Sequence, residues 1–267
     1  MTLDVMGDRC PVNDLALAAY QTRYSLVGFL RNPRAFVFTI IMPLFLLVIL
    51  CTIFHGLTSF AGTKAAAMYY TPAIVSYAMM LAGFNSLTQS VVADREAGLL
   101  KRFRGTPMPS WIYLAAEIAR TIAVVICTVV VLVLVAVIFY KLKIAADTVA
   151  GLVVYTVIGT AVMCSLGLAV TRVCSTIDEA AVVGVFATLI LAFISGVFVP
   201  ETLLPAWLRD IGRVFPLEHL AQGLRMTFSV RASSGITGED IGILALWGIV
   251  GIVIAIRTFQ WQPVGGR

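Results

Sequence analysis

The feature that most constrains this chain is a series of long runs without a charged side chain. Arg34 and Lys64 bracket 29 such residues, and Lys64 and Asp94 bracket the next run. A helix needs about 20 apolar residues to cross the hydrocarbon core of a bilayer. Only 12% of the 267 residues are charged, whereas a soluble protein carries about 25%. The sequence therefore identifies an integral membrane protein.

Six of these runs are long enough to cross a bilayer. The predicted fold is an all-α integral membrane protein whose single domain covers residues 1–267. The predicted spans are 35–55, 70–92, 119–140, 149–171, 179–200 and 239–257. Pro43 predicts a kink in the first span, and Pro72 fits the start of the second. The sixth span has 16 uncharged residues, a short run for which snorkelling end charges or a thinner bilayer can compensate.

The distribution of Lys and Arg predicts the orientation of the chain in the membrane. Six spans place both termini on the same side. With the termini in the cytoplasm, twelve of the nineteen basic residues are cytoplasmic, and the short loops alone compare twelve with three. This bias follows the positive-inside rule. It also accounts for the net charge of +5, so nucleic acid is not a predicted partner.

Cysteine and histidine give no sign of a disulfide framework or a metal site. The five cysteines have no paired spacing and are interpreted as small core residues. His55 and His219 stand alone in the sequence, and a metal site would need further ligands.

Two segments are too short or too polar to cross the membrane yet carry an apolar pattern. Residues 14–31 have apolar residues at near-helical spacing together with Arg23 and Arg31, which predicts a helix along the membrane surface. A plain basic flank before the first span is the alternative. Residues 200–230 predict two short amphipathic helices, which we interpret as an external re-entrant pair, with helices lying on the membrane surface as the alternative.

The densest block of charge, residues 94–107, lies between the second and third spans. Read as a helix from Asp94, it has acidic residues in its first turn and basic residues in its last, an order that suits the helix dipole. Pro107 would end it. A short charged helix at this place predicts a docking surface for another protein, and a solvated basic loop is the alternative.

The residues after this block predict a membrane boundary. Trp111 and Tyr113 are typical of an interfacial aromatic belt. Glu117 and Arg120 are spaced i,i+3 and are predicted to form an ion pair. Farther along, Asp178-Glu179 is interpreted as a solvated turn beside the fifth span.

Motifs for chemistry or for energy conversion are missing from the sequence. It contains no GxxxxGK[ST] phosphate loop, no HExxH and no GxSxG. No carboxylate or lysine in the middle of a span suggests an ion-coupling site. The energy for any transport must then come from elsewhere.

The charged block resembles the cytoplasmic signature of the permeases of type-2 ABC exporters. That signature is Arg-Glu-x-Gly, a basic stretch and then Thr-Pro, here read in Arg95-Glu96-Ala97-Gly98 and in Thr106-Pro107. Arg31-Asn32-Pro33 and the run Phe215-Pro216-Leu217-Glu218-His219 also fit. The resemblance covers nearly the whole chain. The chain looks most similar to the bacterial daunorubicin-resistance and nodulation-exporter group.

The resemblance implies a permease of the bacterial inner membrane that exports hydrophobic or amphiphilic compounds and has no ATPase site of its own. Two separate ABC ATP-binding subunits would hold ATP and Mg²⁺, and a second permease, identical or paralogous, would complete the pathway. Residues 14–31 would be a connecting helix and 94–106 a coupling helix. The implied ATPase-docking residues are Asp94, Arg95, Glu96, Gly98, Lys101, Arg102, Arg104 and Pro107.

The implied substrate pathway follows faces of the second and fifth spans. The candidate residues are Asn85, Gln89, Thr188 and Ser195, and helix packing is the alternative role for each. A permease for a lipid-linked glycan, a membrane-embedded lipid-modifying enzyme and an assembly subunit without transport activity are the competing functions. The enzyme would need a cluster of His, Asp or Glu at one interface, which the sequence does not show.

Overall fold

The computed structural model describes residues 14–54, 63–99, 110–142, 146–228 and 238–258, and every regular element within them is a helix. In chain order the helices are α1 (Asp14–Leu30), α2 (residues 33–54), α3 (residues 63–96), α4 (Ser110–Tyr140), α5 (Ala146–Val170), α6 (Ile177–Ile194), α7 (Ala206–Gly212), α8 (Pro216–Phe228) and α9 (Gly238–Thr258). Six of them, α2 to α6 and α9, are long and apolar enough to cross a membrane. The predicted number of spans is confirmed for the described residues.

The second span is longer than predicted. α3 begins at Thr63, so Pro72 lies inside the helix, and the prediction that Pro72 starts it is wrong. Membrane helices tolerate an internal proline because neighbouring groups bond the carbonyl that it leaves free. The fifth span is shorter than predicted, since α6 ends at Ile194 and Gly196 has a positive φ of 66°.

Two π-helical segments interrupt the long helices. Val37–Ile41 lies directly before Pro43, and the N–H of Met42 bonds to the carbonyl of Val37, five residues back. The structure thus has an irregular stretch where the sequence predicts a kink. A second π-helical segment, Leu81–Ser86, lies within α3. Such segments often occur at functional sites.

α3 is the central helix of the bundle. In its apolar stretch 78% of the residues are buried, against 22% in α6 and in α9. It contacts α2, α4, α5, α6 and α8. At its crossing with α5, a Cβ built on Gly167 would lie 2.7 Å from the carbonyl oxygen of Gly83. The absence of a side chain lets the two backbones touch, as small residues do in membrane helix packing.

The bundle has two ends, which we name after residues of α3. At the Arg95 end, Tyr113 near the start of α4 bonds to Asp94, and Ala255 near the end of α9 packs in the same cluster as Val91. At the Lys64 end, Tyr69 donates to the carbonyl of Gly196 beyond α6. α8 also lies at the Lys64 end, between α3, α5 and α9.

The two short helices predicted after the fifth span are found as α7 and α8. Leu217, Leu220 and Leu224 of α8 are fully buried, which explains why this segment is too apolar for a free loop. α1 is helical as predicted and packs against α4. The placement of α1 at a membrane surface and of α7 and α8 as a re-entrant pair remain predictions.

Candidate functional site

The charged block does not begin a new helix. Asp94, Arg95 and Glu96 form the last turn of α3, so the prediction of a helix that starts at Asp94 is wrong. The helix continues past the uncharged run because these side chains find partners on neighbouring helices. It stops at Gly98, whose φ of 73° is the left-handed conformation that favours glycine after a helix end. Residues 100–109 lie outside the described part of the chain, so Lys101, Arg102, Arg104 and Pro107 remain predicted docking residues.

The side chain of Arg95 is buried inside the bundle. Its side chain is 2% exposed. Its Nη1 donates to the carbonyl oxygen of Thr171 at 2.9 Å, and its Nη2 donates to the carbonyl oxygen of Cys174. Both carbonyls belong to the turn between α5 and α6. The guanidinium of Arg95 thus serves contacts within the chain, and its role in docking an ATPase stays a prediction.

Glu96 and Asp94 also bind elements of the same chain. Glu96 Oε2 accepts the N–H of Ile177, the first residue of α6, at 3.0 Å. Asp94 Oδ2 accepts the hydroxyl of Tyr113 at 2.6 Å. Tyr113 is 1% exposed, so its predicted place in an interfacial belt is wrong. Three consecutive residues therefore connect the end of α3 to α4, α5 and α6.

A second polar cluster lies one turn farther along α4. The predicted ion pair of Glu117 and Arg120 is present, with 2.7 Å between Glu117 Oε2 and Arg120 Nη2, and both side chains are buried. Glu117 also accepts hydrogen bonds from Ser25 of α1 and Ser90 of α3. The guanidinium of Arg120 lies 5.8 Å from the ring centre of Phe29. The carboxylate thus ties α1 to α3 and α4.

The turn before α6 is held by a helix-capping arrangement. Thr176 Oγ1 accepts the N–H of Glu179 at 3.3 Å, and Glu179 Oε2 accepts the N–H of Ser175 at 2.6 Å. This reciprocal bonding resembles a capping box. Asp178-Glu179 is therefore the first turn of α6, where acidic residues complement the helix dipole.

Three of the four candidate pathway residues lie where α3 contacts α6. Gln89 Nε2 donates to Asn85 Oδ1 at 2.7 Å, and Asn85 belongs to the π-helical segment of α3. A Cβ on Gly184 of α6 would overlap this Asn85 oxygen, so the helices approach closely here. Thr188, one turn farther on the same face of α6, is 1% exposed.

Two of the four pathway candidates are buried hydroxyls. Thr188 Oγ1 and Ser195 Oγ have no hydrogen-bond partner among the described residues. A buried hydroxyl without a partner costs free energy.

The sequence suggested that His219 stands alone, but the structure gives its ring two partners. Its Nδ1 lies 2.9 Å from Asp240 Oδ1 of α9, and its Nε2 lies 2.7 Å from the carbonyl oxygen of Arg213. Burial lowers the pKa of His219, but the bonds to Asp240 and Arg213 and the charge of Glu218 outweigh it, so the pKa lies above its ordinary value. No local sequence signal links His219 to Asp240, because they are 21 residues apart on different helices.

Sequence reasoning also missed a contact at the Lys64 end. Arg225 Nη2 donates to the carbonyl oxygen of Gly196 at 2.7 Å, and its guanidinium lies 4.2 Å from the ring centre of Tyr69. Tyr69 donates to the same carbonyl at 2.9 Å. The loop after α6 is thereby bound to both α3 and α8.

A model of one protein family matches most of this chain. Residues 19–229 match the family model described as ABC-2 type transporter, a range that includes the end of α3, the pathway candidates and α8. A comparison with curated proteins returned no match. The family model covers well over half of the chain, and six helices have the length and composition of membrane spans. The chain is therefore a multi-pass membrane permease that belongs to the ABC-2 type transporter family.

Proposed function

We propose that the chain is the membrane-spanning subunit of an ATP-driven exporter that moves hydrophobic or amphiphilic compounds, drug-like or lipid-like, out of the cytoplasm. The Arg95 end of the bundle faces the cytoplasm of a bacterial cell, as do both termini. Two separate ATP-binding subunits hold ATP and Mg²⁺, and a second permease, identical or similar, completes the pathway. Membership of the ABC-2 family supports the partnership with ATP-binding subunits.

The observation that carries this proposal is the continuity between the most buried of the six candidate spans and the charged residues that follow it. α3 ends at Glu96, and residues 99–107, which we call the docking segment, follow it after Ala97 and Gly98 in the sequence. Lys101, Arg102 and Arg104 make this segment basic in sequence. A force applied to the docking segment therefore acts on the helix that contacts most of the bundle.

The mechanism that follows is conformational coupling without bond chemistry in the permease. ATP binding closes the two ATP-binding subunits, closure displaces the docking segments, and α3 moves with them. A ligand shifts a conformational equilibrium only through its different affinities for the two states. The permease must therefore have two arrangements in which the docking segment occupies different positions.

The proposed route for the substrate lies along α3 and α6 at the interface of the two permeases. Asn85 and Gln89 form a hydrogen-bonded amide pair there, and the hydroxyls of Thr188 and Ser195 are buried without partners among the described residues. Separation of α3 and α6 would expose these polar groups to a passing molecule. The apolar side chains around them suit a hydrophobic or amphiphilic substrate.

The test is purification of the tagged full chain from the membranes of its own cells, with identification of co-purifying proteins and an ATPase assay. We expect the wild type to bring down an ATP-binding subunit with ATPase activity, and Lys101→Glu and Arg102→Glu to lose it. Lys64→Glu makes the same charge reversal at an exposed residue of the opposite end and is expected to retain the subunit. A stable wild-type chain that never associates with an ATP-binding subunit overturns the proposal.

A further inference from the structure

Arg95 and Glu96 end α3 with opposite charges, and each charge lies at the end of a different neighbouring helix. Arg95 donates to the carbonyls of Thr171 and Cys174, just beyond the C-terminus of α5. Glu96 accepts the N–H of Ile177 at the N-terminus of α6. Two adjacent residues thus bind both sides of the turn that joins α5 to α6.

The signs of these charges match the helix ends that they contact. The last carbonyls of a helix lack intrahelical donors and carry partial negative charge, and the first N–H groups lack acceptors and carry partial positive charge. A cation beside the end of α5 and an anion beside the start of α6 are both favourable. The order Arg-Glu therefore fits this turn, and the order Glu-Arg would place each charge against its own sign.

Apolar packing reinforces the same contact. Val92 of α3, Cys174 of the turn and Ala180 of α6 form a buried cluster, with Val170 of α5 packed against it. These residues lie within one helical turn of the charged contacts in sequence. The end of α3 is thus joined to the turn by charged hydrogen bonds and by a small core.

We propose that Arg95 and Glu96 are positioning residues that make the end of α3 and residues 171–177 one mechanical unit, through which displacement of the docking segment reaches α6. This inference rests on the proposed function. Gly98 separates the unit from the docking segment that the ATP-binding subunit displaces. α6 carries Thr188 and is followed directly by Ser195, so movement of this unit moves two of the pathway candidates together with α3.

The test uses the complex of the full chain with its co-purified ATP-binding subunits in lipid nanodiscs. Spin labels are placed at exposed positions in a background in which Cys10 and Cys127 are replaced by Ser. The pair Ala97 and Val173 reports the rigidity of the contact between the end of α3 and the turn, and the pair Val173 and Phe139 reports movement of the turn against the far end of α4. Distances are measured with and without ATP.

In the wild type we expect a narrow distance distribution for Ala97 and Val173 that ATP leaves unchanged, and an ATP-dependent shift for Val173 and Phe139. Arg95→Leu should broaden the first distribution and abolish the second shift while the ATP-binding subunit is retained. Arg95→Lys, which keeps a cation at the end of α5, should restore part of the shift. The matched control is Arg172→Leu, which removes an exposed cation from the same turn and should behave as the wild type.

An Arg95→Leu complex that responds to ATP as the wild type does overturns the linkage. A wild-type chain that retains no ATP-binding subunit overturns the proposed function instead. In that case the linkage is still judged from the nucleotide-free distribution for Ala97 and Val173, which must broaden in Arg95→Leu and stay narrow in Arg172→Leu. Equal widths in the two variants reject it.

Discussion

Charge inside this bundle is arranged around helix ends and close ion pairs. Glu117 and Arg120 are 4% and 6% exposed and lie on one turn of α4, where Ser25 and Ser90 donate to the carboxylate. A buried pair of this kind contributes little net stability, because desolvation cancels much of the attraction. Removal of only one partner lowers the stability strongly, since the remaining charge stays buried without its counterion.

This difference predicts a non-additive pair of substitutions. Glu117→Leu alone should lower the free energy of unfolding by about 3–5 kcal/mol, because Arg120 is left uncompensated. The double variant Glu117→Leu with Arg120→Met should recover most of that loss. Thermal unfolding in detergent measures both. A double variant as unstable as Glu117→Leu would show that the hydrogen bonds to Ser25 and Ser90, not the charge pair, determine stability here.

His219 predicts a pH-dependent stability. Both ring nitrogens face acceptors, Asp240 Oδ1 and the carbonyl of Arg213, and an imidazole donates from both nitrogens only when protonated. The pKa of His219 is raised in the folded chain. Its contribution is therefore fully present below about pH 6.5, the ordinary value, and is lost as the pH rises through the folded-state pKa.

The measurement is the melting temperature of the wild type and of Asp240→Asn across this pH range. At acidic pH the wild type should be the more stable, and the difference should shrink as the pH rises. Asp210→Asn, which removes an exposed carboxylate at the same end, should show no such trend. A constant difference between wild type and Asp240→Asn would mean that His219 does not titrate in this window.

Between elements, contact is made by small residues that bring backbones together. Gly83 of α3 and Gly167 of α5 lie at the crossing of the two helices, and Thr88 Oγ1 donates to the carbonyl of Gly167 at 3.0 Å. Lipid tails are as apolar as leucine, so membrane helices associate through close packing and hydrogen bonds. The crossing of α3 and α5 has both close backbone packing and a hydrogen bond.

The crossing predicts a large effect from a single methyl group. In Gly167→Ala the new Cβ would lie 2.7 Å and 2.9 Å from the carbonyl oxygens of Gly83 and Phe84, and backbone cannot move aside as a side chain can. We expect a loss of about 1–3 kcal/mol. Gly242→Ala, where nothing lies within 4 Å, should gain up to about 1 kcal/mol from helix propensity. Thermal unfolding of the two variants measures both effects. Equal melting temperatures would contradict the close approach of the two backbones at Gly167.

The number of spans followed from the uncharged runs, but the end of α3 did not. Asp94, Arg95 and Glu96 appear as the start of a polar segment because a sequence does not show that the ends of α5 and α6 supply their partners. The same limit applies to Tyr113, whose hydroxyl meets Asp94. The Glu117 and Arg120 pair was predictable because i,i+3 spacing is local. The amide pair of Asn85 and Gln89 is likewise local, whereas its contact with Gly184 depends on the fold.

For the whole molecule, the two ends of the bundle differ in charge. The sequence assigns twelve basic residues to the side that contains Arg95 and three to the short loops of the other side. Arg172 and Arg257 belong to the Arg95 end, and Lys64 belongs to the opposite end. Positive residues are retained on the cytoplasmic side during insertion. The bundle should therefore insert with its Arg95 end inside the cell.

This orientation is tested by cysteine accessibility in intact cells. Val173→Cys reports the Arg95 end and Lys64→Cys the Lys64 end; both positions are exposed, and Cys10 and Cys127 are replaced by Ser. A membrane-impermeant maleimide should label Lys64→Cys in intact cells and Val173→Cys only after the cells are opened. The reverse pattern would place the docking segment outside, where no ATP-binding subunit can reach it, and would refute export driven from the cytoplasm. Labelling of both positions in intact cells would mean a mixed orientation, which the bias of twelve to three argues against.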